Sequence, residues 1–309
     1  MHIVVFGIGG VGGFFGGKLA ESGADVTFVA RGKHFEAIRS KGLEVKSISG
    51  NFKVRLKVVN SIDDIQAADL IILAVKSWQV QEVAQQIKPI VGENTIVLPL
   101  QNGADNADKL RAVLDPKNVL AGLCRIVARI EAPGVIDHFA FQEPEIIFGE
   151  YDGSKSKRLD AIKAIFDRAG INSKISDNIH LDIWRKFLFI TTVSGIGALT
   201  RSSFGEMRED EHIRSIMYQT ANEIVVIANA KNIPLGNEDI EKTFAAIDNT
   251  IFNTTASMQR DIMEGRPSEL EDFNGYIVKM GKQLHINTTA NSFIYNCLAL
   301  QEKRARQSG

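Results

Sequence analysis

The sequence predicts an α/β domain with a mostly parallel sheet, followed by an all-α domain. Two patterns support this: short β-branched runs alternate with helical patterns in the first half, and the pattern after about residue 178 is helical nearly throughout. A glycine-rich turn directly after the first β-branched run is a third observation. We therefore predict a cofactor-binding domain at residues 1–178 and a helical domain for substrate and catalysis at residues 179–309.

The strands of the first domain are predicted from β-branched runs bounded by turn residues. These runs are HIVVF, DVTFVA, an extended pair near LEVKSI and FKVRLKVV, LIILAV and TIVLPL. After NVLAGLCRIVARI, turn signals separate GVIDHFAF from EIIFGE, so we expect these two segments to be antiparallel strands that finish the sheet. A helix near KSKRLDAIKAIFDRAG and a short strand at NSKIS then complete the domain.

Helical spacing continues through the second domain, and Pro234 and Pro267 fall in connections between helices. The predicted helices are LDIWRKFLFI, EHIRSIMYQTANEIVVIANAKN, EDIEKTFAAID, SMQRDIMEG and ELEDFNGYIVKMGKQLH. The basic end EKRARQSG is expected to be a mobile tail. A cofactor domain followed by a helical domain predicts a reaction site in the cleft between them.

Composition favours a cytoplasmic globular enzyme. The 309 residues are 44% hydrophobic and carry a formal net charge of −1, which gives no global basic field for nucleic acid or an anionic membrane. Cys124 and Cys297 lie far apart without metal-ligand spacing, so no metal site is predicted. The opening MHIVVFG is interpreted as a strand and not as a leader, and the apolar stretch at residues 187–199 is too short for a membrane span.

The first strand leads into a dinucleotide-binding turn of the Rossmann type. Gly7 permits a tight turn, Gly9 lets the backbone approach a pyrophosphate, and Gly12 allows close packing of the helix on the sheet. The start of that helix supplies N–H donors and partial positive charge to phosphates. The predicted phosphate loop also includes Ile8, Gly10 and Val11.

Arg31 lies about twenty residues beyond the glycine loop, where an NAD-binding domain usually has an acid for the ribose 2′-hydroxyl. A guanidinium can hold a 2′-phosphate through two charge-assisted hydrogen bonds. We therefore predict NADPH as the cofactor, with Lys33 as a second positive charge. The alternative is a solvated arginine at a strand end.

A ketone reductase needs a donor that protonates the developing alkoxide. Lys186 is a candidate because it is the last charge before the long apolar run of IWRKFLFITT. On the pattern alone, its ammonium could instead extend to water.

The segments GIGGVG, LAVKSWQV, LQNG, DIWRKF and SMQRDIMEGRPSELEDFNG, in this order and spacing, resemble the ketopantoate reductase (2-dehydropantoate 2-reductase) family over nearly the whole chain. The resemblance implies a helical domain like that of 6-phosphogluconate dehydrogenase and reduction of 2-dehydropantoate to (R)-pantoate. It implies that Lys186 is the general acid and that Glu269 acts with it. Glu269 could also be a charge that complements a helix N-terminus.

The resemblance also implies binding roles for four further residues. Asn102 would lie near the nicotinamide and the substrate carbonyl, although Asn-Gly is also a common turn. Lys76 would line the cofactor or be a solvated strand end, and the backbone of Ala128 would meet the cofactor. Ser257 would bind the substrate through its hydroxyl, although serine in a helix is commonly structural.

The chain departs from the family pattern in the substrate pocket. Ile190, Ser194 and Phe204 occupy positions where the family often has asparagines that hydrogen-bond the substrate. Ser194 is kept as a substrate-binding candidate. A less polar pocket changes selectivity, so a 2-oxo acid with another side chain is an open alternative.

The sequence also leaves open a non-catalytic function and the oligomeric state. A non-catalytic NADPH-binding sensor would need the glycine loop and Arg31, but it would have no use for Lys186 together with Glu269. A homodimer is conceivable through exposed aromatic residues such as Tyr218 and Phe244, which could instead fill the core of one chain.

Overall fold

The computed structural model describes residues 1–139 and 143–308. The chain divides into two compact units, Met1–Ile179 and His180–Gly309. The predicted fold class, a parallel α/β domain followed by an all-helical region, is confirmed. The assignment of the cofactor to residues 1–178 and of the substrate to residues 179–309 stays a prediction.

The first unit contains the strands of the molecule and the helices that cover them. Its helices are α1 (Gly10–Glu21), α2 (Gly32–Lys41), α3 (Val80–Ile87), α4 (Asn106–Arg111) and α5 (Lys157–Arg168). Its strands are β1 (His2–Phe6), β2 (Asp25–Val29), β3 (Leu43–Ser47), β4 (Phe52–Val54), β5 (Lys57–Val59), β6 (Leu70–Leu73), β7 (Ile96–Pro99), β8 (Leu120–Arg125), β9 (Ala128–Ala132), β10 (Val135–His138), β11 (Glu145–Glu150) and β12 (Asn172–Ile175).

The main sheet has the order β5-β2-β1-β6-β7, and all of its strand pairs are parallel. All four residues of β6 are buried, as are those of β7, which fits strands covered on both faces. The chain moves from β1 to β2 on one side and later to β6 on the other side. The point between β1 and β6 is therefore a topological switch point, where ligands of such sheets bind.

The strands after β7 form two further sheets. β11 pairs antiparallel with β8 and parallel with β12 in a sheet of order β12-β11-β8. The prediction that GVIDHFAF and EIIFGE finish the main sheet was wrong for both segments: β11 lies in the sheet just described, and β10 lies in a separate sheet of order β4-β3-β10-β9. This sheet covers α1, because Ile136 and His138 alternate inward and His138 packs against the ring of Phe14. The end of that predicted segment, residues 140 and 141, lies outside the described residues.

The second unit is helical. Its helices are α6 (Ile179–Thr200, beginning at the unit boundary), α7 (Phe204–Glu209), α8 (Glu211–Ala230), α9 (Asn237–Asp248), α10 (Ser257–Met263), α11 (Asn274–Leu284) and α12 (Thr289–Ser308). Helices α8, α11 and α12 pack against one another. No helix among residues 1–139 and 143–308 is long and apolar enough to cross a membrane.

Residues 302–308 of the basic C-terminal segment are helical, so the prediction of a mobile tail was wrong for them, and residue 309 lies outside the described residues. The helical part forms the last turns of α12, and Glu302 and Ala305 are buried there. The sequence pattern did not reveal this because the buried positions are a single alanine and a charged residue. The carboxylate is satisfied by partners distant in sequence, described below.

The two candidate interface aromatics contact each other. Phe244 of α9 is buried and stacks on Tyr218 of α8, with ring centroids 3.6 Å apart and planes 3° from parallel. Phe244 therefore belongs to the core of the helical unit, while Tyr218 is 38% exposed.

Candidate active site

The turn between β1 and α1 is packed so tightly that side chains are excluded at three of its glycines, Gly7, Gly10 and Gly12. Gly7 has φ of 96°, and a Cβ there would lie 2.8 Å from the backbone nitrogen of Val75. A Cβ on Gly12 would lie 2.0 Å from the carbonyl oxygen of Gly7. Gly7 and Gly12 therefore serve the roles expected from their spacing, the turn and the close helix packing.

Gly9 has a different environment. Apart from its chain neighbours, no heavy atom of the described residues lies within 4 Å of a Cβ built on Gly9. Gly9 is also the N-cap of α1, and no side chain in the described chain caps this end; the first turn has no acidic residue. The N–H groups at the start of α1 thus border open space with a positive helix end, an arrangement that fits a bound pyrophosphate.

Gly10 brings a second segment against the loop. A Cβ there would lie 2.3 Å from the carbonyl oxygen of Ala128, so the start of β9 touches the first turn of α1. This contact brings Ala128, one of the predicted cofactor residues, to the phosphate loop. Ile8 is buried and Val11 is half-buried, so both help to anchor the loop in the core.

Arg31 follows β2 and precedes α2 as its N-cap. It is exposed, and its Nη2 donates to the Gln86 side chain at 3.2 Å. Within residues 1–139 and 143–308, no carboxylate forms an ion pair with Arg31. Lys33 is exposed two residues later. This local excess of positive charge fits a 2′-phosphate.

His34 is a residue of this region that the sequence reading missed. Its Nδ1 accepts a hydrogen bond from the backbone N–H of Gly134 at 2.9 Å, so the proton of the neutral ring is on Nε2. Burial lowers the pKa of His34 below its ordinary value. His34 thus links the first turn of α2 to the turn before β10.

Lys76 and Asn102 follow the neighbouring strands β6 and β7. The buried Ser77 donates its hydroxyl hydrogen to the carbonyl oxygen of Asn102, and Asn106 Nδ2 donates to the same oxygen at 2.9 Å. The ammonium of Lys76 lies 5.7 Å from the centroid of the Trp78 ring. The two predicted residues are thus brought to one place, and Ser77 and Asn106 fix the backbone of Asn102.

The predicted cofactor residues of the first unit therefore share one edge of the main sheet. The glycine loop, Arg31, Lys76 and Asn102 follow β1, β2, β6 and β7, which are adjacent parallel strands. This is the carboxyl edge, with the switch point in its middle. The arrangement can hold a dinucleotide across four strands. No group of side chains suited to a metal ion occurs in the described part of the chain.

In the helical unit, Lys186 is half-buried on α6. Its neighbour Arg185 donates from Nε to Asp239 Oδ1 at 2.7 Å, and Asp239 is buried. Phe187 packs edge-on against Phe273 at 6.2 Å between ring centroids. Arg185 is therefore a structural charge that holds α6 against α9.

Glu269 is only 4% exposed and lies in a turn five residues before α11 begins at Asn274. Its carbonyl oxygen accepts hydrogen bonds from the N–H groups of Asp272 at 3.1 Å and Phe273 at 3.0 Å. The helix predicted from residue 269 thus begins later. The Phe187–Phe273 contact brings the segments that carry Lys186 and Glu269 together within the helical unit.

The departures from the family pattern lie along and beside α6. Ile190 and Ser194 are four and eight residues after Lys186, on the same helix face; Ile190 is half-buried and Ser194 is buried. Phe204 is buried and packs edge-on against Phe189, with ring centroids 6.2 Å apart. Ser257, in contrast, is exposed at the first position of α10.

A depression of about 350 Å³ in the helical unit is lined by Arg201, Arg266, Glu302 and Arg304, among others. It contains none of the predicted catalytic or binding residues.

Both halves of the chain match models of one protein family. Residues 3–153 match the model described as ketopantoate reductase PanE/ApbA, and residues 178–302 match ketopantoate reductase PanE/ApbA C terminal. The chain belongs to the ketopantoate reductase PanE/ApbA family. The resemblance inferred from the sequence is thereby confirmed, and the family is one of nicotinamide-dependent oxidoreductases.

Individual relatives span the full chain. The 2-dehydropantoate 2-reductase of Pyrococcus horikoshii is 28% identical over 302 residues, which cover 98% of either chain. A ketopantoate reductase of this family from Ralstonia eutropha has a crystal structure with a TM-score of 0.91, 28% identity and coverage of 99% of this chain and 100% of its own. A structure of D-mandelate dehydrogenase with NADH and anilino(oxo)acetate has a TM-score of 0.91, 25% identity and coverage of 99% of each chain.

Several residues that shape the site gave no usable sequence signal. Ser77 and Asn106 act on a backbone oxygen, which only the folded chain reveals. Gln259 is buried, accepts from the N–H of Ala256 at 3.1 Å and donates to the carbonyl of Ser202 at 2.7 Å. A polar residue in a helical pattern is usually solvated, so its burial could not be inferred.

The two glycine environments predict different effects of the same substitution. Gly9→Ala places a methyl group in open space, so the protein should fold with an unchanged melting temperature. The methyl group would crowd the pyrophosphate, and we expect NADPH affinity to fall by roughly 5- to 150-fold, from an overpacking cost of about 1–3 kcal/mol. Calorimetric titration measures the affinity.

Gly12→Ala is the matched comparison. Its Cβ would collide with the carbonyl of Gly7, so the free energy of unfolding itself should fall by at least about 1–3 kcal/mol. Equal melting temperatures and equal NADPH affinities for the two variants would contradict the assignment of these roles.

Proposed function

We propose that the protein is an NADPH-dependent 2-dehydropantoate 2-reductase, which forms (R)-pantoate for pantothenate and coenzyme A biosynthesis. The observation that carries the proposal is the open, uncapped start of α1 beside Gly9, on the same sheet edge as Arg31. The family membership of both halves supports a reductase. A cytoplasmic location and a homodimer are further predictions from the sequence.

The carboxyl edge would hold the cofactor. The N–H groups at the start of α1 would bind the pyrophosphate, Arg31 would bind the 2′-phosphate, and Lys76, Asn102 and Ala128 would line the remaining length. The bound nicotinamide supplies a hydride to the ketone carbon. A phosphate-binding role for Arg31 is supported by its neutral partner Gln86, which a phosphate can displace without breaking an ion pair.

Lys186 would donate a proton from its ammonium to the oxygen of the ketone as negative charge develops there. Arg185 cannot take this role while it is bonded to Asp239, so the W-R-K segment divides into a structural charge and a functional charge. The buried carboxyl group of Glu269 would orient the substrate hydroxyl and the ammonium. The reaction requires these two groups to reach the same substrate.

Asn102 is well suited to orient the substrate carbonyl because its backbone is held by Ser77 and Asn106. Ser257 and Ser194 would bind other polar groups of the acid. Ser257 is exposed and therefore open to a ligand, whereas the burial of Ser194 makes its contribution depend on the shape of the pocket.

A second candidate function is the reduction of a 2-oxo acid with a more apolar side chain. Half-buried Ile190 and the buried Phe204 favour it, since neither can hydrogen-bond a hydroxylated side chain. The likeness to D-mandelate dehydrogenase, whose structure contains an aromatic oxoacid, gives it support. A non-catalytic NADPH sensor is the third candidate, and it leaves Lys186 and Glu269 without a role.

A panel of 2-oxo acids tests the three candidates. Steady-state kcat/KM with NADPH should be highest for 2-dehydropantoate, compared with acids of branched apolar and aromatic side chains. A preference of orders of magnitude for an apolar acid would replace the substrate and keep the reductase. If no acid causes NADPH oxidation, the enzyme proposal fails.

Lys186→Ala should lower kcat by about a hundredfold to ten-thousandfold, because it removes the proton donor. The NADPH dissociation constant, measured by fluorescence titration, should not change. Lys279→Ala, on an exposed lysine of α11, is the control and should keep wild-type turnover. Undiminished turnover without Lys186 would remove it from the mechanism.

Arg31→Asp should reduce NADPH affinity by at least about tenfold, from the loss of charge-assisted hydrogen bonds worth about 1.5–3 kcal/mol, and should affect NADH far less. The control is Arg168→Asp, which changes the exposed last residue of α5 and should leave the affinities for NADPH and NADH unchanged. Equal losses for NADPH and NADH in Arg31→Asp would refute recognition of the 2′-phosphate.

A further inference from the structure

Ser268, the residue before Glu269, is hydrogen-bonded to α12 through its N–H, its carbonyl and its hydroxyl group. Ser268 is fully buried, and its N–H donates to both carboxylate oxygens of Glu302 at 3.1 Å. Its hydroxyl donates to Glu302 as well, and its carbonyl accepts from Arg306 Nη2 at 3.1 Å. Glu302 and Arg306 are one turn apart on α12 and are 34 and 38 residues from Ser268 in sequence.

The carboxylate of Glu302 is buried at a cost that its partners must offset. It is 4% exposed, and Arg306 Nε lies 2.7 Å from its Oε1. A buried ion pair of this kind is weak evidence for stability, because desolvation cancels much of the attraction. The hydrogen bonds of Glu302 are directional, so they instead fix the position of Ser268 in the turn before α11.

The turn is also fixed on its other side. The Ser268 hydroxyl oxygen accepts from the N–H of Leu270 at 3.3 Å, and the carbonyl of Glu269 accepts from Asp272 and Phe273. Glu269 thus lies between two anchored points, and its side chain is buried. A side chain can be held in one orientation only if its own backbone is fixed, so the contacts to α12 are suited to setting the direction of the Glu269 carboxyl group.

We propose that Glu302 and Arg306 are positioning residues that act through Ser268 to hold Glu269 in its productive orientation. We call the pair the α12 clamp. The catalytic part of this inference rests on the proposed function of Glu269, whereas the anchoring of the turn does not. Misplacement of a reacting group by about 1 Å can cost about a hundredfold in rate.

The kinetic test is a double-mutant cycle on the full chain. Glu302→Ala should lower kcat by about tenfold to a hundredfold with little change in NADPH affinity. Glu302→Gln should keep much of the wild-type kcat, since the amide keeps hydrogen bonds to Ser268. In a protein that already carries Glu269→Gln, Glu302→Ala should have almost no further effect. Equal losses in the two backgrounds would overturn the positioning role.

Leu298→Ala is the matched structural control. Leu298 is fully buried one turn earlier on α12 and its side chain cannot hydrogen-bond to Ser268, so this variant should be destabilised with near-normal kcat. If Glu302→Ala does not fold, Arg306→Met serves in its place because Arg306 is partly exposed and the change keeps the apolar stem. A loss of kcat in Leu298→Ala as large as in the clamp variants would contradict the inference.

Amide hydrogen exchange tests the anchoring without any turnover. The Glu302 or Arg306 variant should exchange faster at residues 268–273, while Leu298→Ala should not show this local change. Unchanged protection in the clamp variants would overturn the clamp, even if the wild-type enzyme reduces 2-oxo acids. Faster local exchange with no NADPH oxidation by wild-type protein would instead support the clamp and refute the proposed function.

Discussion

The close approach of backbone at the turn between β1 and α1 is the constraint on which the first unit depends. Gly7, Gly10 and Gly12 each place the Cα where a side chain would strike a neighbouring backbone, so α1 can begin directly above β1 and touch β9. This proximity brings the start of α1 to the switch point of the sheet. Because Gly9 alone among these four positions borders open space, the same turn that packs the helix also leaves room for a phosphate.

Two buried carboxylates of the helical unit each hold an arginine by an ion pair. Asp239 holds Arg185, and Glu302 holds Arg306, each through a hydrogen-bonded ion pair with one buried carboxylate. Both pairs flank segments that carry proposed catalytic residues, Lys186 on one side and Glu269 on the other. Buried pairs add little net stability, but breaking one leaves an uncompensated charge, so they specify the position of the chain next to them.

The sequence was sufficient to predict those parts of the structure that a short local pattern determines. The glycine spacing, the strand alternation and the place of Arg31 after β2 all follow from near neighbours, and the fold class was predicted from them. Contacts between segments distant in sequence could not be predicted from it. β10 pairs with β3 because Ile136 and His138 cover α1, and α12 is anchored by the bond between Glu302 and Ser268. The start of α11 was placed too early because Glu269 and its neighbours have helical spacing but form a turn. Lys186 and Glu269 were assigned by resemblance, since charge and periodicity alone allow solvated roles for both.

A crystal structure of the complex with NADPH is the most direct measurement of the central claim, that the open face of the glycine turn is the cofactor site. We expect pyrophosphate oxygens within hydrogen-bonding distance of the N–H groups at the start of α1, and the adenosine 2′-phosphate in contact with the Arg31 guanidinium. A pyrophosphate bound away from Gly9, or a 2′-phosphate beyond the reach of Arg31, would contradict the account.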